Sequence, residues 1–147
     1  MRMVDIPVEL SNFFSRQNFE NYPKLSIPQS FIDDRGSIFN IADGVLGDVA
    51  TIVSLRNSVR ANHVHNTDWH ISYCLKGSLI YSFLDNMEVQ HSLIIRQGEM
   101  FFTPVGIPHR MDFIEECTLI VVSRNSRKSE KYDEDTKRFI LSDPRKH

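Results

Sequence analysis

Four of the six histidines of this 147-residue chain fall in two short stretches, and their type and spacing suit them best for chemistry. In residues 60–77, RANHVHNTDWHISYCLKG, His63 and His65 are two apart, so on an extended strand both side chains leave the same face. His70 follows after Asn66-Thr67-Asp68-Trp69, enough chain for a turn to return a third imidazole to the same place. In residues 98–109, GEMFFTPVGIPH, His109 stands behind a Pro-Val-Gly-Ile-Pro corner that restricts where it points. Imidazole is the commonest metal-binding side chain and titrates near neutrality, so such clusters point to metal binding or proton transfer. His91, in an ordinary alternating stretch, and His147, at the end of the chain, are read as uninvolved.

These residues need a frame of strands to hold them. From Gly47 onward short runs follow one another: VATIVSL, the histidine stretch, SLIYSFL, QHSLIIRQG, EMFFT, HRMDFI and CTLIVVS. Gly, Asn, Asp and charged pairs separate them at the spacing of an all-β sandwich or barrel. Upstream, KLSIPQSF reads as extended, with Pro28 arguing for an edge or strand start. Asp33-Asp34-Arg35-Gly36 is a turn, and SIFNIA behind it alternates like a strand. Residues 1–24 read as a loosely organised lead-in with a helical turn, lying against the body or a partner subunit. KSEKYDEDTKRFIL holds a helical turn or two before a terminal strand. The whole reads as one antiparallel β domain over residues 1–147.

Composition narrows the setting. Ten Phe, four Tyr and one Trp suit a core between two sheets or inside a barrel. The net charge of −2, with both signs interspersed, advertises no nucleic-acid surface. Lys128, Lys131, Lys137 and Arg138 alternate with acids and read as a solvated face. Cys74 and Cys117 each sit in an apolar run, the usual place for a reduced buried thiol, which favours a reducing compartment. MRMVDIPVELSNFF carries acids and a proline where a signal peptide needs an unbroken apolar core. No stretch reaches membrane-spanning apolar length. A cytoplasmic location is expected.

The two histidine stretches resemble the two motifs of the cupin family. The first, G-x5-H-x-H-x3-4-E-x6-G, is matched by His63, His65, His70 and Gly77, with His70 in place of the usual Glu. The leading Gly falls at Asn57. The second, G-x5-P-x-G-x2-H-x3-N, is matched by Gly98, Pro104, Gly106 and His109, with Phe113 where Asn would stand. Together they cover residues 57–113. The resemblance implies a single cupin jelly-roll β-barrel with short terminal extensions. A divalent transition metal (Zn, Fe, Ni, Co, Cu or Mn) would sit inside it on His63, His65, His70 and His109. A homodimer is implied too, the amino-terminal segment contributing to its interface.

A softer resemblance links Asp34-Arg35-Gly36 and Arg60 to the sugar-nucleotide epimerase and ketoisomerase branch of the cupins. That branch includes dTDP-4-dehydrorhamnose 3,5-epimerase and the dTDP-4-keto-6-deoxyhexose 3,4-ketoisomerases. It implies Arg35 and Arg60 as ligands of a nucleotide diphosphate, which a guanidinium grips with paired hydrogen bonds. It also implies a strand histidine, His65 or His70, as general base.

Imidazoles suit these metals better than Mg or Ca, which prefer oxygen. Without a ligand carboxylate the ion keeps its full charge, so the pocket favours an anionic or enolisable ligand. A six-coordinate ion leaves two positions open for substrate, whereas a closed tetrahedral one is structural. Asp68 and Asp112 flank the histidines and are candidates for orienting their rings. Tyr73, Tyr81, Phe83, Phe101, Phe102 and Met111 read as core or pocket lining, and the period of two turns Tyr73 away from the face of His70. Three functions follow. The first is a sugar-nucleotide isomerase or epimerase in cell-surface polysaccharide synthesis. The second is a histidine-ligated Fe(II) dioxygenase for a small enolisable or thiol substrate. The third is a non-catalytic binder of a small molecule.

Overall fold

The proline at position 28 interrupts the first expected strand. In the computed structural model, which describes residues 4–28, 31–128 and 132–146, β1 (Lys24–Leu25) ends before it. β2 (Phe31–Asp33) and β3 (Gly36–Ile38) form a hairpin around the expected Asp34-Arg35 turn. The SIFNIA strand thus stops at Ile38. Lys131 and His147 lie outside the described residues.

The alternating runs that follow become β4 (Asp48–Ser54), β5 (Val59–His65), β6 (His70–Lys76), β7 (Ser78–Leu84), β8 (Gln90–Arg96), β9 (Met100–Thr103), β10 (His109–Phe113) and β11 (Cys117–Ser123). The carboxyl-terminal segment gives one turn of helix, α1 (Tyr132–Asp135), and β12 (Thr136–Arg138). Lys128, Lys137 and Arg138 are exposed, as a solvated face requires.

Two five-stranded antiparallel sheets result. Sheet I runs β1-β9-β6-β11-β4 and sheet II runs β12-β5-β10-β7-β8. Inward side chains of both meet in one core of Cys74, Leu79, Tyr81, Phe83, Ile95, Phe101, Phe113, Leu119 and Val121. This is the expected jelly roll. Cys74 and Cys117 are buried free thiols with sulfurs 3.9 Å apart.

The amino-terminal segment is better organised than its sequence suggests. Leu10, Phe13 and Phe14 are buried on the outer face of sheet I against Trp69, Ile71, Met100, Phe102 and Val122. Burial of such side chains is worth about 1.5–3 kcal/mol each, enough to fix a short segment of weak helical propensity. Glu9 joins it to the histidine loop, accepting from Trp69 Nε1 at 2.8 Å and pairing with Arg124 at 3.3 Å. No helix among the described residues is long and apolar enough to cross a membrane.

The carboxyl-terminal segment straps sheet II. β12 pairs with β5, placing Thr136 opposite His65 and Arg138 opposite His63. Beyond it, the Phe139 N–H donates to the Asn62 carbonyl at 2.9 Å and the Leu141 N–H to Asn62 Oδ1 at 3.1 Å.

Candidate metal centre

A strict alternation would put Arg60 and His63 on opposite faces of β5. The strand avoids this with an irregularity: the pairing with β10 steps from His63 opposite His109 to Ala61 opposite Arg110. Ala61 and Asn62 both take left-handed backbone conformations, with φ of 68° and 54°. Such geometry costs non-glycine residues energy and clusters at functional sites. Its consequence is that Arg60, Ala61 and His63 all line one cavity. Asn57, where the cupin motif has glycine, also adopts a left-handed φ of 67°. Asparagine tolerates that region, so the turn keeps its shape without the glycine.

His63 and His65 project from β5, and His109 opens β10 beside them. One ligand nitrogen from each lies within 4.8 Å of the others. The Pro104-Val105-Gly106 corner that delivers His109 is locked to β5, because the Gly106 N–H donates to the His65 carbonyl at 2.9 Å. Gly106 has φ +77° there, a value that suits glycine. His109 donates Nδ1–H to the Ile107 carbonyl at 2.9 Å, which leaves the Nε2 lone pair free. His65 Nδ1 lies 3.3 Å from Thr136 Oγ1 and 3.7 Å from Asp135 Oδ2. The Thr136 hydroxyl donates to the Tyr132 carbonyl, so it accepts from the ring and again leaves Nε2 as the free nitrogen.

His70 stands next to this trio, its ring 4.9 Å from that of His65. Its Nε2 donates to Asp68 Oδ2 at 3.0 Å, and it is not one of the three grouped nitrogens. Asp68 is fully buried and also accepts from the backbone N–H groups of Trp69, Arg124 and Asn125. Burial pushes its carboxyl up, but the His70 bond and the Asn125 N–H outweigh that and hold it below the usual range. Asp112 has no hydrogen bond to a histidine among the described residues. It is fully buried between Arg110, at 2.8 and 2.9 Å, and Arg145, at 3.2 Å. Its place on β10 tethers the carboxyl-terminal tail.

The imidazoles are held neutral. Burial, then the charges of His70 and Arg127, push His63 down to about 4, and burial with His70 and His63 does the same to His65. Burial drives fully enclosed His109 well below the ordinary value, against the Ile107 bond that favours its charged form. Neutral imidazole is the form that ligates metals. His65 Nε2 is buried and has no hydrogen-bond partner among the described residues. Leaving such an atom unpaired costs about 1–3 kcal/mol, and a metal ion would satisfy it. An ion about 2.1 Å from each nitrogen would draw the three together. The residues therefore fit a first-row transition metal.

The cavity has a volume of about 210 Å³ and is lined by His63, His70, His109, Arg60, Arg127 and Tyr132 over an apolar floor. No carboxylate lines it among the described residues. Tyr81, Phe101 and Met111 face inward, and Tyr73 packs on the outside of sheet I, as alternation predicts. Arg60 donates to Ser54 Oγ at 2.7 Å and to the Val53 carbonyl at 3.1 Å. Arg35 lies elsewhere, exposed at the tip of the β2–β3 hairpin and bonded to Asp33. Sequence reasoning missed Arg127, Tyr132, Asp135 and Thr136. They lie in a charged stretch with no periodicity, brought to the histidines by the pairing of β12 with β5 and, for Arg127, by its backbone bond to Asp48.

A family model described as 3-hydroxyanthranilic acid dioxygenase matches residues 47–147. No curated protein matches the chain. Similar solved structures include QdtA, a sugar 3,4-ketoisomerase from Thermoanaerobacterium thermosaccharolyticum in complex with TDP. It is 18% identical at TM-score 0.62, over 80% of this chain and 88% of that one. The Mycobacterium tuberculosis rmlC epimerase is 14% identical at TM-score 0.65, over 87% and 74%. The capsular polysaccharide assembling protein CapF from Staphylococcus aureus is 18% identical at TM-score 0.59, over 80% of this chain but 35% of its own length. At these identities the likeness is one of fold.

Proposed function

The chain belongs to the 3-hydroxyanthranilic acid dioxygenase family, a cupin family, and on that premise we propose that it is a histidine-ligated Fe(II) dioxygenase for a small enolisable substrate. The carrying observation is three grouped neutral imidazoles, His63, His65 and His109, two of which, His63 and His109, line a small cavity that no carboxylate lines among the described residues. Bound iron would supply a redox-active centre able to bring an anionic substrate and oxygen together. His65 and His109 keep their free nitrogens turned to that centre through Thr136 and the Ile107 carbonyl. Arg60 and Arg127 give the cavity a positive field that favours a substrate anion. Phe101, Leu119 and Val121 exclude water from the floor. Small-molecule pockets for drug-sized ligands span roughly 300–1,000 Å³, so a volume of about 210 Å³ favours a single-ring or smaller substrate. The test loads the protein anaerobically with Fe(II), adds 3-hydroxyanthranilate or other enolisable acids and follows oxygen. Uptake that His109→Ala abolishes supports the reading, and no uptake with any of them refutes it.

A second reading has its own observation. The His70–Asp68 pair at 3.0 Å beside the cavity has the form of a general base held by a buried carboxylate. That arrangement would serve a sugar-nucleotide isomerase or epimerase, of use in polysaccharide synthesis, with Arg60 near the ligand. Arg35, bonded to Asp33 outside the cavity, gives this reading no support. TDP raising the melting temperature, and loss of proton exchange from a 4-keto sugar nucleotide in His70→Asn, would favour it over the dioxygenase. The exposed apolar side chains of Val49, Val53 and Leu75 on the outer face of sheet I support the expected homodimer, which sedimentation at two concentrations tests.

A further inference from the structure

We propose that Asn62 is a positioning residue of the metal centre, through which the carboxyl-terminal strap keeps His63 opposite His109; this rests on the reading of the three histidines as metal ligands. Asn62 is the extra residue of the β5 irregularity. β10 pairs His109 with His63 and Arg110 with Ala61, so the pairing skips Asn62. Facing residues of paired strands share a side of the sheet. Regular pairing onward from Ala61 would therefore set Asn62 opposite His109 and turn His63 to the outer face. One bulged residue decides whether the first ligand reaches the ion. Its left-handed φ of 54° sits beside the 68° of Ala61, a pair that non-glycine residues keep only when their surroundings hold them.

The strap holds them. The Asn62 carbonyl accepts from the Phe139 N–H at 2.9 Å and its Oδ1 from the Leu141 N–H at 3.1 Å, so the tail bonds to the bulge itself. It is then fastened on both sides of that point. Arg110, next to His109 on β10, donates Nη1–H to the Leu141 carbonyl at 3.0 Å. The Ser142 N–H donates to Gln90 Oε1 at 3.0 Å and Gln90 Nε2 donates back to the Ser142 carbonyl at 2.8 Å. Arg145 reaches Asp112 at 3.2 Å. Upstream, Thr136 Oγ1 accepts from His65 Nδ1 at 3.3 Å. A single run of residues, 136–145, thus bears on all three ligands: on His65 directly, on His63 through Asn62 and on His109 through Arg110. Such coupling is reciprocal: a docked strap tightens the metal site, and a bound metal tightens the strap by the same factor.

The test measures zinc affinity by competition with a chelating dye and amide exchange by NMR. In the wild type, zinc should slow exchange of the Phe139 and Leu141 amides by about tenfold or more. The amides of Met87 and Val89, in the turn closed by Asp85, should be unaffected. Asn62→Gly keeps the left-handed backbone but not the side-chain acceptor. It should bind zinc about tenfold more weakly, lose most of the protection at Leu141 and alter the visible spectrum of the cobalt-substituted protein. Asn62→Asp, which keeps both features, should bind zinc as the wild type does. Equal zinc affinity in the wild type and Asn62→Gly overturns the proposal, even if the variant melts at a lower temperature. So does exchange at Phe139 and Leu141 that zinc leaves unmoved, a result that needs no variant. A wild type that binds no zinc is a separate outcome, which overturns the metal-centre reading and the proposal with it.

Discussion

Acid should destabilise the metal-free protein well before its carboxylates titrate. His65 is 1% exposed and is pushed down to about 4, from an ordinary 6.5. Below 6.5 the unfolded chain therefore binds a proton that the folded chain refuses. Stability is complete above 6.5 and falls as the pH drops toward 4. A shift of this size is worth about 3 kcal/mol in all and about 2 kcal/mol by pH 5. His109 adds in the same direction, and His63, which is less buried, adds a smaller share. Hydrogen bonds and neighbouring cations hold the carboxyls of Glu9, Asp33, Asp68, Asp85, Glu99 and Asp143 below their ordinary range, so they contribute little at or above pH 5. Urea unfolding with a chelator present, at pH 7.5 and pH 5, measures the difference, with His65→Gln as the non-titrating control. A total stability of about 5–15 kcal/mol makes such a loss easy to see. Stabilities equal within about 0.5 kcal/mol at the two pH values, or a slope that His65→Gln leaves unaltered, would refute a buried neutral His65.

Two further changes probe the frame around the site. Asp112→Asn leaves the buried Arg110 with only the more distant Asp143 carboxylate, 3.8 Å away, and should cost about 3 kcal/mol, read as a lower urea midpoint. Gly77 has φ +86° and a Cβ there would lie 2.2 Å from the Glu116 carbonyl oxygen, whereas Gly98 shares the φ but has open space. Gly98→Ala should cost about 1–2 kcal/mol for conformation alone and Gly77→Ala distinctly more; equal melting temperatures for the two would contradict the close approach.

The strand frame was legible because its signals are local. SLIYSFL and CTLIVVS became β7 and β11 with the expected bounds, since each run is apolar and punctuated at both ends. The two-residue spacing of His63 and His65 and the proline-glycine corner before His109 likewise carried three imidazoles together. The remainder depended on non-local pairing. Nothing in Arg60-Ala61-Asn62 announces two left-handed residues, yet they turn Arg60 toward His63. Asp68 and Asp112 look alike in sequence, each beside a histidine stretch, but one holds His70 and the other binds two arginines. Tyr132 reaches the cavity with the β12 edge of sheet II and Arg127 through its backbone bond to Asp48, and a charged, aperiodic stretch gives no warning of either. The lead-in reads as loose because its helical turns are too short to be stable alone; it is packing on sheet I that orders it.

The most direct measurement is elemental analysis of the protein as purified and after loading with Fe(II) or Zn(II), beside His63→Ala, His65→Ala, His109→Ala and His70→Ala. The expected result is a tightly held transition metal in the wild type, lost in each of the first three variants and retained in the His70→Ala variant, because His70 is outside the group of three ligand nitrogens. A wild type that holds no metal after loading, or variants at His63, His65 and His109 that hold as much as the wild type, would contradict a three-histidine centre.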